Sequence, residues 1–324
     1  MDARTNTPLV SIITPAFNST AYLSETVRSA LEQTYSNFEL LIVDDESTDG
    51  TIELARQWMT VDPRINAWSI PHSGSSMARN AAIGKARGEI FALLDSDDVW
   101  APNYLAEQVR LLTTGPNISI VTANAINRGG WFDGRPIWSI TTPASELRLL
   151  DIIEREASIC IMTVFYRDVT ERIGGFDPRF PSNEDYHFWL RAAAAGFRIL
   201  RNPVPLGFYR RRPDSVSADD RGMLRGIITV LRDIATHHDV GDDALHAIDR
   251  QVRRFEDEMA RHDVRDFLVR RDGSAAARSL QEWAQARGKV CLGALSNVAR
   301  LWPQPLVWLY NLRRAVRAHG GSRV

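Results

Sequence analysis

Cysteine is nearly absent from this chain. Cys160 and Cys291 are the only two in 324 residues, far apart and without CxxC spacing, so neither a disulfide framework nor a cysteine-ligated zinc site is encoded. That usage suits a reducing compartment. Lysine is almost as scarce, with Lys85 and Lys289 alone, although arginine is plentiful. No stretch of about 18 apolar residues occurs, and the opening MDARTNTPLV has no apolar signal region, which together predict a cytoplasmic protein without a membrane span. A net charge of -1 leaves no overall basic footprint and excludes a general nucleic-acid partner. Internal repeats and low-complexity tracts are missing too. With 44% hydrophobic and 24% charged residues, the chain can bury a sizeable core in one large domain plus an appendage.

The densest chemistry lies in FALLDSDDVW, residues 91–100. An apolar, strand-compatible run from Ile90 to Leu94 ends abruptly in Asp95, Ser96, Asp97 and Asp98, and Pro102 then opens a helix. Carboxylates crowded at the end of a buried strand repel one another and lose hydration, a cost that a divalent cation offsets. Hard oxygen ligands favour Mg2+ or Mn2+ over Zn2+. A polar loop whose Asp residues cap the next helix explains a lone DxD equally well, so the surroundings must decide.

Those surroundings alternate. Strand-like runs at Leu9 to Thr14, Phe38 to Val43 and Ile65 to Ile70 are separated by helical patterns at 19–33, from the capping residues Ser47, Thr48 and Asp49, and at 75–86. Strand and helix alternate four times at short spacing, which predicts a parallel sheet with right-handed crossovers. Further on, a helix to Thr114 and a strand at 118–123 lead to a loop carrying Trp131, Phe132, Gly134 and Trp138. Glu184 and Asp185 then open a helix whose apolar side includes Phe188, Trp189 and Ala192. A carboxylate in a first helical turn faces the positive end of the dipole, stays ionised and can accept a proton; it can equally just stabilise the helix start.

The ordered set VSIITPAFN (10–18), LLIVDDESTDGT (40–51), HSGSSMARNAAIGKARGEIFALLDSDDVW (72–100) and GGFDPRF followed by NEDYHFWLR (174–191) resembles the family 2 glycosyltransferases. The resemblance spans roughly the first 215 residues. It implies a GT-A fold, an α/β architecture with a mixed, mostly parallel sheet flanked by helices. It also implies inverting transfer of a sugar from a nucleotide diphosphate donor, UDP- or dTDP-linked, to a hydroxyl of a glycan or lipid-linked acceptor, with Mg2+ or Mn2+. Carried over by motif, Pro15, Phe17 and Asn18 frame the nucleoside and Asp45 meets the base. Arg79, Asp95 and Ser96 fall on the donor side, and Asp97 is the metal ligand. Asp185 is the general base with Glu184 as runner-up, and Arg211 and Arg212 lie in the segment that closes the site. Trp131 and Trp138 fall in the half that shapes the acceptor site, where exposed rings stack on sugars.

Two positions depart from the family pattern. Glu46 stands where glycine is usual, so the loop must avoid positive φ or tolerate strain. Arg212 stands where a histidine is usual, and a permanent cation without a free lone pair cannot ligate a metal. Either Asp97, the diphosphate and water hold the ion, or Arg211 and Arg212 neutralise the leaving diphosphate. These departures also motivate an alternative, a degenerate transferase that binds a nucleotide sugar or a partner without turnover. A haloacid-dehalogenase-type phosphatase is excluded by the lack of a suitable downstream lysine and spaced acidic pair, and a dinucleotide-binding dehydrogenase by the lack of GxGxxG after the first strand.

Composition places the transferase domain at 1–217, with a donor half to about residue 100 and an acceptor half after it, and a helical extension at 218–324. Beyond Glu282 no acidic residue appears, while arginines interleave with LWPQPLVWLY. That mixture suits an interfacial helix on an anionic leaflet, a packed helical cap or a homodimer face.

Overall fold

The computed structural model describes residues 7–115, 117–140, 144–212, 215, 218–270, 272–288, 296–297 and 299. In chain order the elements are β1 (Val10–Ala16), α1 (Thr20–Leu31), β2 (Phe38–Asp44), α2 (Thr51–Val61), β3 (Ile65–Ser69), α3 (Ser75–Lys85), β4 (Ile90–Leu93) and β5 (Val99–Trp100). There follow α4 (Tyr104–Thr114), β6 (Ile118–Arg128), β7 (Ser145–Leu147), α5 (Leu149–Glu154), β8 (Thr163–Tyr166), α6 (Arg167–Ile173), α7 (Glu184–Ala194) and β9 (Arg198–Arg210). Three helices complete the described chain: α8 (Asp220–His237), α9 (Asp242–Val269) and α10 (Gly273–Arg287).

All nine strands join one sheet in the order β3-β2-β1-β4-β8-β6-β9-β5, with β7 added beside β9. Every residue of β1 and of β2 is buried, as strands covered on both faces require, and this is why they read as continuous apolar runs. From β3 to β4 the pairing is parallel, as the alternation predicts; β8 then enters antiparallel to both β4 and β6. Right-handed crossovers put α1 and α2 on one face and α3, which carries the chain back past β1, on the other. The chain order therefore reverses between β1 and β4. Open α/β sheets receive ligands at such a reversal, outside the carboxyl ends of the strands, and here those ends deliver Phe17 and Asp95.

The first strand is longer than its sequence suggests and runs through Pro15. Proline has no N–H to give a ladder. On one side Pro15 sits opposite Val43 of β2, but on the other β4 has already ended, its last pairing being Leu93 with Ile13, so no donor is missed. Inside the sheet Glu39 of β2 is buried and accepts three bonds, from the Ser11 hydroxyl (2.7 Å) and from the backbone N–H (2.7 Å) and Nε (2.8 Å) of Arg87. Those partners hold its carboxyl below the usual range against the cost of burial.

Two compact units result, 1–249 and 250–324, so the first extends beyond the 217 suggested by composition. The reason is α8, which is bound to α7: Asn183 Nδ2 donates to the Met223 carbonyl (3.2 Å), and His187 Nε2 lies 3.0 Å from Asp233 Oδ2. In the second unit Ala276, Ala277, Leu280 and Ala299 form a small core with Val264, Phe267 and Trp283, and Asp257 accepts from Trp283 Nε1 (2.6 Å) and Arg287 Nε (2.7 Å). Among the described residues no helix is long and apolar enough to cross a membrane. The segment LWPQPLVWLY and Cys291 lie outside the described residues.

Burial, reinforced by the neighbouring Arg191, pushes the His187 imidazole down to about 4 despite the opposing pull of Asp233. As pH falls the unfolded chain takes this proton first, so the contribution is fully present above about 6.5 and is lost towards about 4. His187→Gln is therefore expected to lose less stability than the parent between pH 7 and 4.5, by up to about 2 kcal/mol. Urea denaturation at the two pH values measures the difference, and equal losses would contradict the assignment.

Candidate active site

Four segments converge at the chain reversal: the end of β1, the start of α3, the loop after β4 and the start of α7. At the β1 end Phe17 is 45% exposed, and its ring lies 4.7 Å from that of His72, so the two make an open aromatic edge. Asn18, with φ of 46°, receives the Thr48 N–H on Oδ1 (2.9 Å) and gives its own N–H to Ser47 (2.9 Å), locking the loops after β1 and β2 together. Glu46 adopts φ of 59°, so the chain tolerates strain where glycine would be free of it. Its carboxylate accepts the His72 N–H (3.0 Å). His72 was missed at the sequence level as a site residue, since a single histidine in a loop carries no periodicity.

Asp45 is almost fully buried, and its oxygens accept the backbone N–H groups of Ser73 (2.7 Å) and Gly74 (2.9 Å). It therefore sets the turn entering α3, with His72 Nδ1 also 2.9 Å from Oδ2. Asp44 does related work, accepting from the Ser69 hydroxyl (3.0 Å). Neither caps α2, which starts instead with Asp49 accepting from Thr51 (3.1 Å to its N–H).

Arg79 of α3 is 3% exposed and spans the site. One guanidinium nitrogen reaches Asp95 Oδ1 (2.7 Å) and the other reaches Glu184 Oε1 (2.6 Å). Sequence left open whether Arg79 pairs inside the protein or meets a phosphate; the structure commits it to the two carboxylates. Glu184 is further held by the Ser75 hydroxyl (2.7 Å), so it is occupied as a structural acceptor. Asp185 beside it accepts the N–H of Tyr186 (2.7 Å). Burial, then the neighbouring charge of Glu184, pushes the Asp185 carboxyl up to about 6, against the pull of Arg79. The glycine run upstream packs closely here: Asn80 bonds Phe176 through both its backbone N–H (2.8 Å) and carbonyl (2.7 Å), and a Cβ on Gly175 would lie 2.2 Å from Asn80 Oδ1.

After β4, Ser96 gives its hydroxyl to a pairing with Ser19 (2.7 Å) and so tethers the loop to the start of α1. Asp97 Oδ2 lies 3.0 Å from Arg212 Nε, and burial followed by the charge of Asp95 pushes its carboxyl up to about 6. Asp98, fully buried and raised well above the usual range by burial and by Asp97 and Asp95, accepts the Arg210 N–H on Oδ1 (2.8 Å), while its Oδ2 is buried without a hydrogen-bond partner. Arg211 turns away from this group and donates to Asn127 Oδ1 (3.1 Å). Trp138 faces the Arg201 guanidinium at 5.9 Å, and the Trp131 side chain lies outside the described residues. A separate cluster, His187, Asp233 and His238, brings ligand-type atoms within 4.8 Å of one another. Its carboxylate already has the Arg179 guanidinium as a cationic partner (3.2 Å), with His237 Nδ1 3.1 Å away.

The sequence model described as glycosyl transferase family 2 matches residues 11–174, half the chain and the whole reversal point. The chain belongs to glycosyl transferase family 2. Two curated relatives agree. TuaG of Bacillus subtilis, named for teichuronic acid biosynthesis, is 30% identical over 71% of this chain and 90% of its own length. WfaP of Escherichia coli, a UDP-Glc:alpha-D-GlcNAc-diphosphoundecaprenol beta-1,3-glucosyltransferase, is 30% identical over 71% of this chain and 89% of its own. The mannosyltransferase PcManGT of Pyrobaculum calidifontis, solved with GDP-Man and Mn2+, superposes with a TM-score of 0.63 over 98% of this chain and 88% of that one, at 21% identity, and shows the shared GT-A fold. The family 2 chain is thus a glycosyltransferase, an enzyme of the transferase class. Its family match stops before α7 and before Arg212, so the roles of Asp185 and Arg212 rest on their geometry.

Removing the shared cation is the sharpest probe of this arrangement. Arg79→Gln leaves a buried site between two partly shielded carboxylates without its cation and is expected to cost about 3–5 kcal/mol of stability. Arg79→Lys, with one ammonium in place of a planar fork, should recover only part of it. Chemical denaturation checks both; a loss below about 1 kcal/mol would mean that the bridge is not holding the two centres together.

Proposed function

We propose that this transferase moves a sugar, with inversion, from a uridine diphosphate donor to a hydroxyl of a lipid-linked glycan, with Asp185 as general base. The observation that carries the reading is the division of the Glu184–Asp185 pair. Glu184 is taken up by Arg79 and Ser75, whereas Asp185 is left with its neighbour's N–H and a carboxyl raised to about 6. Such a group is ionised at neutral pH yet basic enough to take a proton as the acceptor hydroxyl attacks the anomeric carbon. Attack from the side opposite the leaving diphosphate inverts that centre. The named activity of the Escherichia coli relative supports the donor and acceptor class.

The acidic end of β4 fits a divalent cation. Asp97 is raised by burial and then by the charge of Asp95, and Asp98 keeps an unpartnered buried oxygen, so carboxylates here have lost hydration that an ion would replace. Asp97 with Asp95 would hold Mg2+ or Mn2+, through hard oxygen donors. When bound, the ion supplies positive charge to the leaving diphosphate. The chain's own part is positional. Arg79 fixes Asp95 relative to Glu184, and Asp45 shapes the 72–74 turn so that Phe17 and His72 present ring faces to the base, with Asp45 Oδ1, which accepts from Ser73, keeping a further lone pair for its edge.

Asp185→Asn is expected to lower the transfer rate by about 10²- to 10⁴-fold while UDP-sugar binding, read by calorimetry, persists. Loss of binding along with transfer would reassign Asp185 to structure. In the parent the rate should rise with pH through about 6, because only the deprotonated carboxylate works as a base. A flat profile between pH 5 and 7 would sink that assignment.

A further inference from the structure

Asp97 already has a cation. The guanidinium of Arg212 lies 3.0 Å from Asp97 Oδ2, and both side chains are well shielded, 16% and 18% exposed. The placement is built rather than incidental. Arg210, two residues earlier, ties this end of β9 to the same loop: its N–H donates to Asp98 Oδ1 (2.8 Å) and its Nε to the Asp97 carbonyl (2.7 Å), while its outer nitrogen reaches Glu25 (2.6 Å). Tyr22 of α1 lies under both guanidiniums, 4.9 Å from that of Arg210 and 5.1 Å from that of Arg212. Arg212 is therefore delivered to the position from which a carboxylate would otherwise serve an ion.

We propose that Arg212 is a tethered counter-ion that competes with the divalent cation for Asp97, so that the protein takes up metal well only together with a nucleoside diphosphate. This rests on the reading of Asp97 as metal ligand. Two cations on one carboxylate repel, so an ion that engages Asp97 loosens the guanidinium's hold on it. A withdrawn guanidinium left in a shielded site needs a new anion, and the planar fork of arginine matches a phosphate. The diphosphate supplies one. By linkage, whatever the nucleotide does for metal uptake the metal does equally for nucleotide uptake. A histidine at this position would join the ion as a ligand; arginine instead sets a condition on its entry.

The test titrates Mn2+ into the full-length protein and reads free ion by electron paramagnetic resonance, with no sugar transfer involved. Without nucleotide, Arg212→Gln is expected to bind Mn2+ about tenfold more tightly than the parent, the effect of removing one shielded competing charge. Arg212→His, which adds a lone pair, should bind more tightly still. With saturating UDP the parent should recover most of the difference, so that UDP enhances Mn2+ affinity more in the parent than in Arg212→Gln. Mn2+ affinity unchanged or weakened in both variants would overturn the proposal while leaving the metal reading standing, provided that Asp97→Asn abolishes binding. If Asp97→Asn binds Mn2+ as the parent does, the metal reading itself falls and the proposal falls with it.

Discussion

One buried guanidinium holds the two chemical centres of this enzyme at a fixed separation. Asp95 follows the strand at the chain reversal and Glu184 begins the helix that carries Asp185, and Arg79 bonds both. Two carboxylates brought so near in a shielded site would repel strongly without a positive charge between them. On the proposed reading the same pairing determines which acid can react. By saturating Glu184 it leaves Asp185 next to a fixed negative charge, and that neighbour, together with burial, keeps Asp185 protonatable near neutrality. Geometry on the donor side and basicity on the acceptor side thus share one cause.

Charges alternate outward from that bridge. Beyond Asp95 come Asp97 with Arg212, and Asp98 with Arg210, whose other end reaches Glu25 of α1. A 13-residue strand, β9, delivers these arginines by running parallel to β6 and then antiparallel to β5, so the later half of the sheet serves the acidic loop of the first. Burial first, and then the charges of neighbouring acids, still raises Asp97 and Asp98 despite these arginines. A site in that condition attracts cations and would repel an unaccompanied diphosphate.

How much of this could be read from the chain depended on range. Strands buried on both faces advertise themselves, so β1, β2 and β4 and the acids that follow β2 and β4 were legible, and the ordered motifs named the family. Pairings across long stretches were not. Arg79 and Glu184 are 105 positions apart, and nothing local says which of many acids an arginine will meet. The amphipathic pattern of α8 announced a face to be buried without saying that α7 would cover it, which is why the first compact unit reaches Asp249. Pro15 misled in the other direction, since a strand can pass through proline where the neighbour on its bare side has already ended. The pairing of the Ser96 hydroxyl with Ser19, 77 positions away, was equally invisible in the motif that Ser96 stands in.

The bonds from α8 to the start of α7 also have a bearing on biosynthesis. Domains tend to fold from the amino terminus as the chain emerges. Here the parallel half is complete once β4 has been made, but the turn before Asp185 waits for Met223, and His187 waits for Asp233. Gly226 is drawn in so closely that a Cβ there would lie 2.3 Å from Asn183 Nδ2. A growing chain can therefore possess the parallel half of its sheet long before the start of α7 is held by α8, and on the proposed reading of Asp185 competence for group transfer arrives well after the donor half is complete.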